Sequence, residues 1–148
     1  MAETLFSICC ERNPDPADQP RWLTEVLKAG ADIHETDKNG VTPLHCAVRF
    51  RSPAAVQTLI EHGADVNQAC RRSGSTPLHR AVTQTGAPGT AGRGPEALEI
   101  VRLLIAAGAD PSIINKSGKT PGDYARNAAI NSLLISAIKQ SNSKSPDR

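Results

Sequence analysis

The chain has 148 residues, enough for one domain with a continuous core. Its hydrophobic share of 39% is that of an ordinary soluble protein, whereas the aromatic share of 3% predicts an aliphatic, alanine-rich interior. The formal net charge of +2 is too small to indicate a nucleic-acid or anionic-membrane surface. No apolar run approaches the roughly 20 residues of a transmembrane helix. We therefore expect no nucleic-acid or membrane partner.

The N-terminal stretch and the cysteines bear on the compartment. Residues 1–10 lack the basic start and the long apolar run of a secretory signal. The four cysteines show no spaced framework, and the adjacent pair Cys9 and Cys10 cannot form an unstrained disulfide. Reduced thiols, and therefore a cytoplasmic location, are expected.

The first predicted elements are two helices. Apolar residues within 3–11 favour a short helix, and the prolines within 13–18 end it. A second helix begins near Pro20, and Gly30 is its C-terminal stop. Its apolar positions form a single stripe of Trp22, Leu23, Val26 and Leu27.

Two short motifs then repeat along the chain. Thr-Pro-Leu-His stands at 42–45 and 76–79 and returns as Thr-Pro-Gly-Asp at 120–123, while Gly-Ala-Asp begins at Gly30, Gly63 and Gly108. The first two glycines lie 33 residues apart and the last two lie 45 apart. The third unit therefore carries an internal insertion, which we place at 85–95.

Each Gly-Ala-Asp is joined to the next threonine motif by a connector of about ten residues with a turn pair at its middle. The pairs are Asn39-Gly40, Ser73-Gly74 and Ser117-Gly118. Projecting hairpins, or fingers, are the expected result.

The period of 33 with Thr-Pro-Leu-His, Gly-Ala-Asp and two short helices per unit resembles the ankyrin repeat. The resemblance implies an all-α ankyrin-repeat solenoid of about four helix-turn-helix units with projecting β-turn fingers. Residues 1–139 would form a single domain with units at approximately 1–34, 35–67, 68–112 and 113–139. Residues 140–148 have no apolar side chain to bury, and a disordered polar tail is expected there.

The repeated motif is typical of a helix start. Threonine can cap the first-turn amides, proline fits the first helical position, and histidine three residues later can reach back to the threonine. His45 and His79 are therefore predicted to be structural caps. The terminal units of such a stack need polar outer faces, and the last unit offers Asn131, Ser132 and Lys139.

Residue patterns for chemistry are missing from the sequence. Neither C-x-x-C nor H-x-x-x-H occurs, and no phosphate-binding G-x-x-x-x-G-K-[ST] loop is present. We predict no catalytic, cofactor-binding or metal-binding residues, and no enzyme activity. Two alternatives stay open: a structural self-assembly module in which the exposed face meets another copy, and a thiol- or metal-dependent regulator using Cys9, Cys10, Cys46 and Cys70.

The resemblance implies a protein-protein interaction module, a monomeric scaffold that binds its partner through the finger tips and the exposed face of the first helices. The 85–95 loop is a further candidate contact, because loops on rigid scaffolds often carry recognition. An excess of lysine and arginine on this side, with Arg51, Arg71 and Arg80 included, predicts a partner with an acidic or mixed surface. Phe50 would be an exposed aromatic anchor. The candidate residues are Lys38, Asn39, Val41, Arg49, Phe50, Arg72, Ser73, Ser75, Thr83, Gln84, Lys116, Ser117, Lys119 and Asn127.

One asparagine has two interpretations. Ankyrin proteins include substrates of an asparagine hydroxylase that reads a leucine eight residues before the asparagine, and Leu59 and Asn67 match that spacing. Asn67 is also the ordinary connector asparagine of the repeat, so the sequence leaves both interpretations open.

Overall fold

The computed structural model describes residues 5–9, 18–82, 94–125 and 128–143. Within these ranges the backbone forms helices, and no residue is in a β-strand. The helices are α1 (Leu5–Cys9), α2 (Asp18–Lys28), α3 (Pro43–Arg49), α4 (Pro53–Glu61), α5 (Pro77–Val82), α6 (Gly94–Ala106), α7 (Pro121–Tyr124) and α8 (Ala128–Ser143). The predicted all-α class is confirmed.

The helices stack in two layers. One layer is the series α1, α3, α5 and α7, and the other is the series α2, α4, α6 and α8, with each helix packed on the next member of its series. Between the layers lies an aliphatic core whose largest members, Leu44, Leu59, Leu78 and Leu104, are at most 1% exposed. Helices as short as the seven residues of α3 are marginal alone, so packing between units stabilises them.

The first unit differs in part from the predicted pattern. Leu23 of α2 is fully buried as expected, but Trp22 in the same predicted apolar stripe is 36% exposed. Gln19, a polar residue, is fully buried instead: its Nε2 donates to the Ile8 carbonyl at 2.8 Å, and its Oε1 accepts from Ser52 Oγ at 2.5 Å. This amide therefore joins α1, α2 and the start of α4.

The Gly-Ala-Asp stops act as predicted. Gly63 has φ 93, a left-handed conformation that glycine adopts without steric cost, and it directly follows the C-cap of α4. The next amide, Ala64 N–H, then donates to the Leu59 carbonyl at 3.0 Å. This bond satisfies one of the last carbonyls of the helix.

The third and fourth units correct two predicted boundaries. Gly94 and Pro95, assigned to the insertion, are the first two residues of α6, while 85–93 lie outside the described residues. Helix α8 continues to Ser143, so the predicted disordered tail is wrong for 140–143. No glycine or proline follows Lys139 before Pro146, and the helix therefore meets no local stop signal there. Residues 144–148 lie outside the description.

Candidate functional site

His45 caps α3 and also reaches the next unit. Thr42 N–H donates to His45 Nδ1 at 3.2 Å, and His45 N–H donates back to Thr42 Oγ1 at 3.3 Å. Because Nδ1 accepts, the ring proton is on Nε2, which donates to the Ser75 carbonyl at 3.0 Å. Burial lowers the pKa of His45 to about 4, against the opposing effect of the Ser75 bond. The cap is thus also a bridge between units.

His79 repeats this geometry one unit later. Thr76 N–H donates to His79 Nδ1 at 3.1 Å, and Nε2 donates to the Lys119 carbonyl at 2.9 Å. Burial lowers the pKa of His79 as well. The prediction that both motif histidines are structural caps is confirmed.

Asp123 takes the histidine position of the fourth unit. Its Oδ2 accepts from Thr120 N–H at 2.8 Å and from the Thr120 hydroxyl at 3.1 Å, and these bonds lower the pKa of the carboxyl. A carboxylate has no proton to donate, so it cannot form the outward bond that the two histidines form.

Each finger is closed by a backbone bond from its first residue. Asp37 N–H donates to the Val41 carbonyl at 3.0 Å, and Asn115 N–H donates to the Lys119 carbonyl at 2.9 Å. The side chains of these first residues also accept amide protons from within the finger, for example Asp37 Oδ1 from Asn39 N–H at 2.8 Å. Sequence reasoning missed these anchors, although Asp37 and Asn115 each stand five residues before a motif threonine.

Cys70 holds the same position in the middle finger, where its N–H donates to the Ser75 carbonyl at 2.9 Å. Its Sγ lies 3.0 Å from Ser73 Oγ, and the side chain is 2% exposed. Burial raises the pKa of the thiol, but hydrogen bonds from Ser73, Ser75 and Arg80 outweigh it and bring the pKa to about 7. The thiol is thus held inside the turn by its hydrogen bond with Ser73.

The other cysteines bear on the thiol and metal alternative. Cys9 is buried and Cys46 is half-buried, and neither they nor Cys70 are in a disulfide. Cys10 lies outside the described residues. In the part of the chain that the structure describes, no three His, Cys, Asp or Glu side chains are grouped so that they could hold a metal ion.

The fingers form a row held together by main-chain bonds. Arg71 N–H donates to the Asn39 carbonyl at 2.8 Å, and Lys116 N–H donates to the Ser73 carbonyl at 2.9 Å. The Lys116 ammonium also donates to the Arg71 carbonyl. At Gly40 the approach is so close that a Cβ would lie 2.6 Å from the Arg71 nitrogen. The fingers therefore support one another as a rigid edge.

The predicted binding residues differ in their exposure to solvent. Thr83, Gln84 and Asn127 lie outside the described residues. Asn39, Ser73 and Ser75 are half-buried, and their carbonyls take part in the finger bonds. The exposed candidates are Lys38, Arg49, Arg72, Lys116, Ser117 and Lys119.

Two apolar candidates are not placed as predicted. Val41 is buried at 9% exposure, in a turn where its N–H donates to Asp37 Oδ1 at 3.0 Å. Phe50 is half-buried rather than exposed, and its N–H donates to the Cys46 carbonyl at the C-cap of α3. Neither is a fully exposed anchor.

Arg51 is a further correction, because it was expected among the surface cations but is 5% exposed. Its Nη1 donates to the Val48 carbonyl at 2.8 Å and to the Arg80 carbonyl at 3.2 Å. The residue has φ 56, an unusual conformation outside glycine. Arg51 thus joins the C-terminal ends of α3 and α5.

The remaining cations are concentrated on two fingers. Residues 66–76 contain Arg71 and Arg72, residues 111–120 contain Lys116 and Lys119, and neither segment has an acidic residue. The ion pair recorded within the described ranges, Arg21 with Asp18 at 3.1 Å, lies on α2. The two fingers alone therefore carry four positive charges.

Asn67 is a link between connectors. Its Nδ2 donates to the Gly108 carbonyl at 3.2 Å, and its Oδ1 accepts from Asp110 N–H at 2.7 Å. The side chain itself is exposed. The resemblance gave Asn67 two interpretations, a connector residue and a hydroxylation site, and neither predicted this bond to the next unit.

No helix in the described part of the chain is both long enough and apolar enough to span a lipid bilayer.

The family model described as Ankyrin repeats (3 copies) matches residues 8–115. The chain is 40% identical over 110 residues to the B-cell lymphoma 3 protein homolog of Mus musculus, covering 74% of this chain and 22% of that protein. It is 32% identical over 115 residues to Rabankyrin-5 of Mus musculus, covering 76% of this chain and 10% of that protein.

The crystal structure of the ankyrin repeat domain of Bcl-3 superposes with a TM-score of 0.67 at 35% identity, covering 80% of this chain and 47% of that chain. The chain thus spans about a fifth or less of these two curated relatives and about half of the solved domain. With its repeated caps, glycine stops and finger row, this chain belongs to the ankyrin repeat family.

Proposed function

We propose that this chain is a non-enzymatic module that binds an acidic surface of another protein through its finger row and the exposed face of α3. Ankyrin repeats are generally protein-protein interaction modules. The observation that carries the proposal is the group of exposed cations on the fingers, Lys38, Arg71, Arg72, Lys116 and Lys119.

Rigidity of the fingers supports this function. The middle finger receives the histidine bond from the unit before it and accepts an amide from the finger after it. A surface already ordered in the free protein loses little conformational entropy on binding, so more of the contact energy appears as affinity. The half-buried serines at 73 and 75 therefore position the cations beside them, and they are not themselves proposed as the main contacts.

Arg49 extends the cationic surface from the fingers to a first helix. It is exposed in the last turn of α3, the kind of position that ankyrin proteins use beside their finger tips. Charge across such a surface mainly raises the association rate and selects against cationic partners. The affinity for a partner should therefore fall as salt concentration rises.

The test combines charge reversal with affinity measurement. A partner is captured from an extract of the native source and purified, and its affinity is measured by titration calorimetry with wild-type protein and with the double variant Arg72→Glu and Lys119→Glu. We expect the double variant to weaken binding by roughly tenfold or more, since each reversed charge both removes an attraction and adds a repulsion.

Arg102→Glu is the matched control, because Arg102 is exposed on α6 of the other layer. This variant should retain wild-type affinity. Equal affinity of the finger variant and wild type would remove the proposal.

A separate variant lacking 86–93 tests the insertion. We propose the insertion as an additional contact, whose loss weakens binding less than the finger reversals do.

A further inference from the structure

The two ends of the outer layer, the series α2, α4, α6 and α8, expose large apolar side chains. Trp22 on α2 is 36% exposed, and on α8 Ile135 and Ile138 are 53% and 40% exposed. Polar outer faces were expected at the terminal units, and the exposed Ser132 and Lys139 of the last unit partly fulfil that expectation. The apolar residues between them need a different account.

Each outer helix has one central residue: Val26, Leu59 and Leu104 stand four residues before the Gly-Ala-Asp glycines, and Leu134 follows the first residue of α8 by six positions, as Leu59 follows that of α4. We call the residue four before it the leading position and the residue one after it the trailing position. These two positions are five residues apart, about 140° around a helix of 3.6 residues per turn. They therefore lie on opposite flanks of the helix.

Burial at the leading position depends on a preceding helix. Ala55 of α4 and Ile100 of α6 are 0% exposed, and Ile130 of α8 is 5% exposed. Each of these helices packs on the outer helix before it. Trp22 occupies the leading position of α2, the first of the series, and is the exposed member. The flank with Trp22 is thus the one that a preceding unit covers.

Burial at the trailing position depends on a following helix. Leu27, Ile60 and Ile105 are half-buried and pack against the core, and each belongs to a helix that has a successor in the layer. Ile135 holds this position in α8, the last of the series, and is 53% exposed. Its flank is the one that a following unit covers.

We propose that a second copy of this chain docks end-on, with the α8 flank of Ile135 and Ile138 packed against the α2 flank of Trp22 in the next copy. The contact continues the α2–α4–α6–α8 layer, and every copy carries both halves of it. Lys139 is the only charged residue in α8, so the flank presents little charge to desolvate. One helix pair is smaller than a standard interface of about 800 Å² per partner, so the association is weak and concentration-dependent.

This arrangement is head-to-tail, and it uses a different surface from the finger row, so it stands independently of the proposed function. Instead of the expected monomer, the protein would be in equilibrium between monomers and copies associated end to end. It also gives the self-assembly alternative a specific surface.

Trp22 itself supplies the first measurement, since it is the only tryptophan of the chain. As wild-type concentration rises towards about 1 mM, the range of weak association, tryptophan emission should shift to shorter wavelength, with the sedimentation coefficient rising in parallel. Ile135→Glu leaves Trp22 intact and should abolish both changes, raising the dissociation constant at least about tenfold. Ile114→Glu is the matched control, because Ile114 is 60% exposed but lies in the third connector, and it should behave as wild type.

A mixing experiment separates this contact from a two-fold one. Trp22→Lys and Ile135→Glu should each be monomeric alone, with circular dichroism confirming that both are folded. Their equimolar mixture should form a dimer and nothing larger, because one intact α8 flank meets one intact α2 flank. Wild-type protein that is monomeric at the highest concentration, or a Trp22→Lys variant that associates like wild type, would overturn the proposal.

Discussion

The second and fourth units cap the equivalent helix start with different residues. His45 and Asp123 each accept the N–H of the motif threonine, at 3.2 and 2.8 Å. Only the imidazole has a second nitrogen, and it donates to the Ser75 carbonyl of the next finger. His45 is fully buried whereas Asp123 is exposed. The difference shows that a local cap becomes a link between units when the capping group carries both an acceptor and a donor.

The largest effect should come from removing each capping side chain. His45→Ala leaves the Thr42 amide and the Ser75 carbonyl without their partner and opens a cavity, so we expect it to lower the free energy of unfolding by about 4 kcal/mol. Asp123→Ala loses an exposed cap and should cost clearly less. Urea denaturation of the two variants measures both values. Equal losses would contradict the distinction between bridge and cap.

The same comparison predicts a pH dependence. The pKa of His45 is about 4 in the fold and 6.5 in the unfolded chain, so the unfolded state binds more protons between these values. The stability from neutral His45 is complete above about pH 6.5 and is lost as the pH falls towards 4, a change of about 3 kcal/mol.

Urea titrations at several pH values across this window test the sign. His45→Ala should show a shallower decline on acidification, with a remaining slope from His79, whose pKa is shifted in the same direction. His34→Ala, at an exposed position, should keep the wild-type profile. A profile of His45→Ala as steep as wild type would show that the buried imidazole is not the cause.

Two finger glycines sharpen the comparison between inner and terminal units. Gly40 and Gly118 have nearly equal φ values of 77 and 74, but an added Cβ meets the Arg71 nitrogen at 2.6 Å in the first case and nothing within 4 Å in the second. Both alanine variants carry the cost of positive φ, about 1 kcal/mol. We expect Gly40→Ala to cost about 2 kcal/mol more, since the backbones of two fingers must separate. The difference between the two alanine variants in thermal unfolding measures the contact with the Arg71 nitrogen alone. Equal decreases in melting temperature would contradict the expected effect of this contact.

The smallest effect should come from restoring the motif in the fourth unit. Asp123→His can rebuild the cap on Thr120, but within the described residues there is no further finger whose carbonyl could accept the outward bond. We expect the free energy of unfolding to stay close to that of wild type, as is usual for exposed sites. A clear rise in the urea midpoint relative to wild type would show that the imidazole finds a second partner.

The sequence predicted the frame of this fold well for identifiable reasons. Threonine, proline and histidine at a helix start act on amides within three residues, and glycine acts on its own φ, so these effects can be read locally. Burial was predicted less well. Val41, Phe50 and Arg51 were placed on the binding surface, yet Arg51 contacts the Arg80 carbonyl 29 residues away. A contact with another unit leaves no local signal.

By itself, the sequence determined the period, the helix starts and stops, the finger turns and the membership of a repeat family. Only the tertiary structure decided which cations remain exposed, that Asp37, Cys70 and Asn115 anchor equivalent turns, and that the histidines link one unit to the next. It also showed apolar flanks at both ends of the outer layer. The physical reason is that local motifs fix the backbone of each unit, whereas burial and charge exposure depend on what the neighbouring unit covers.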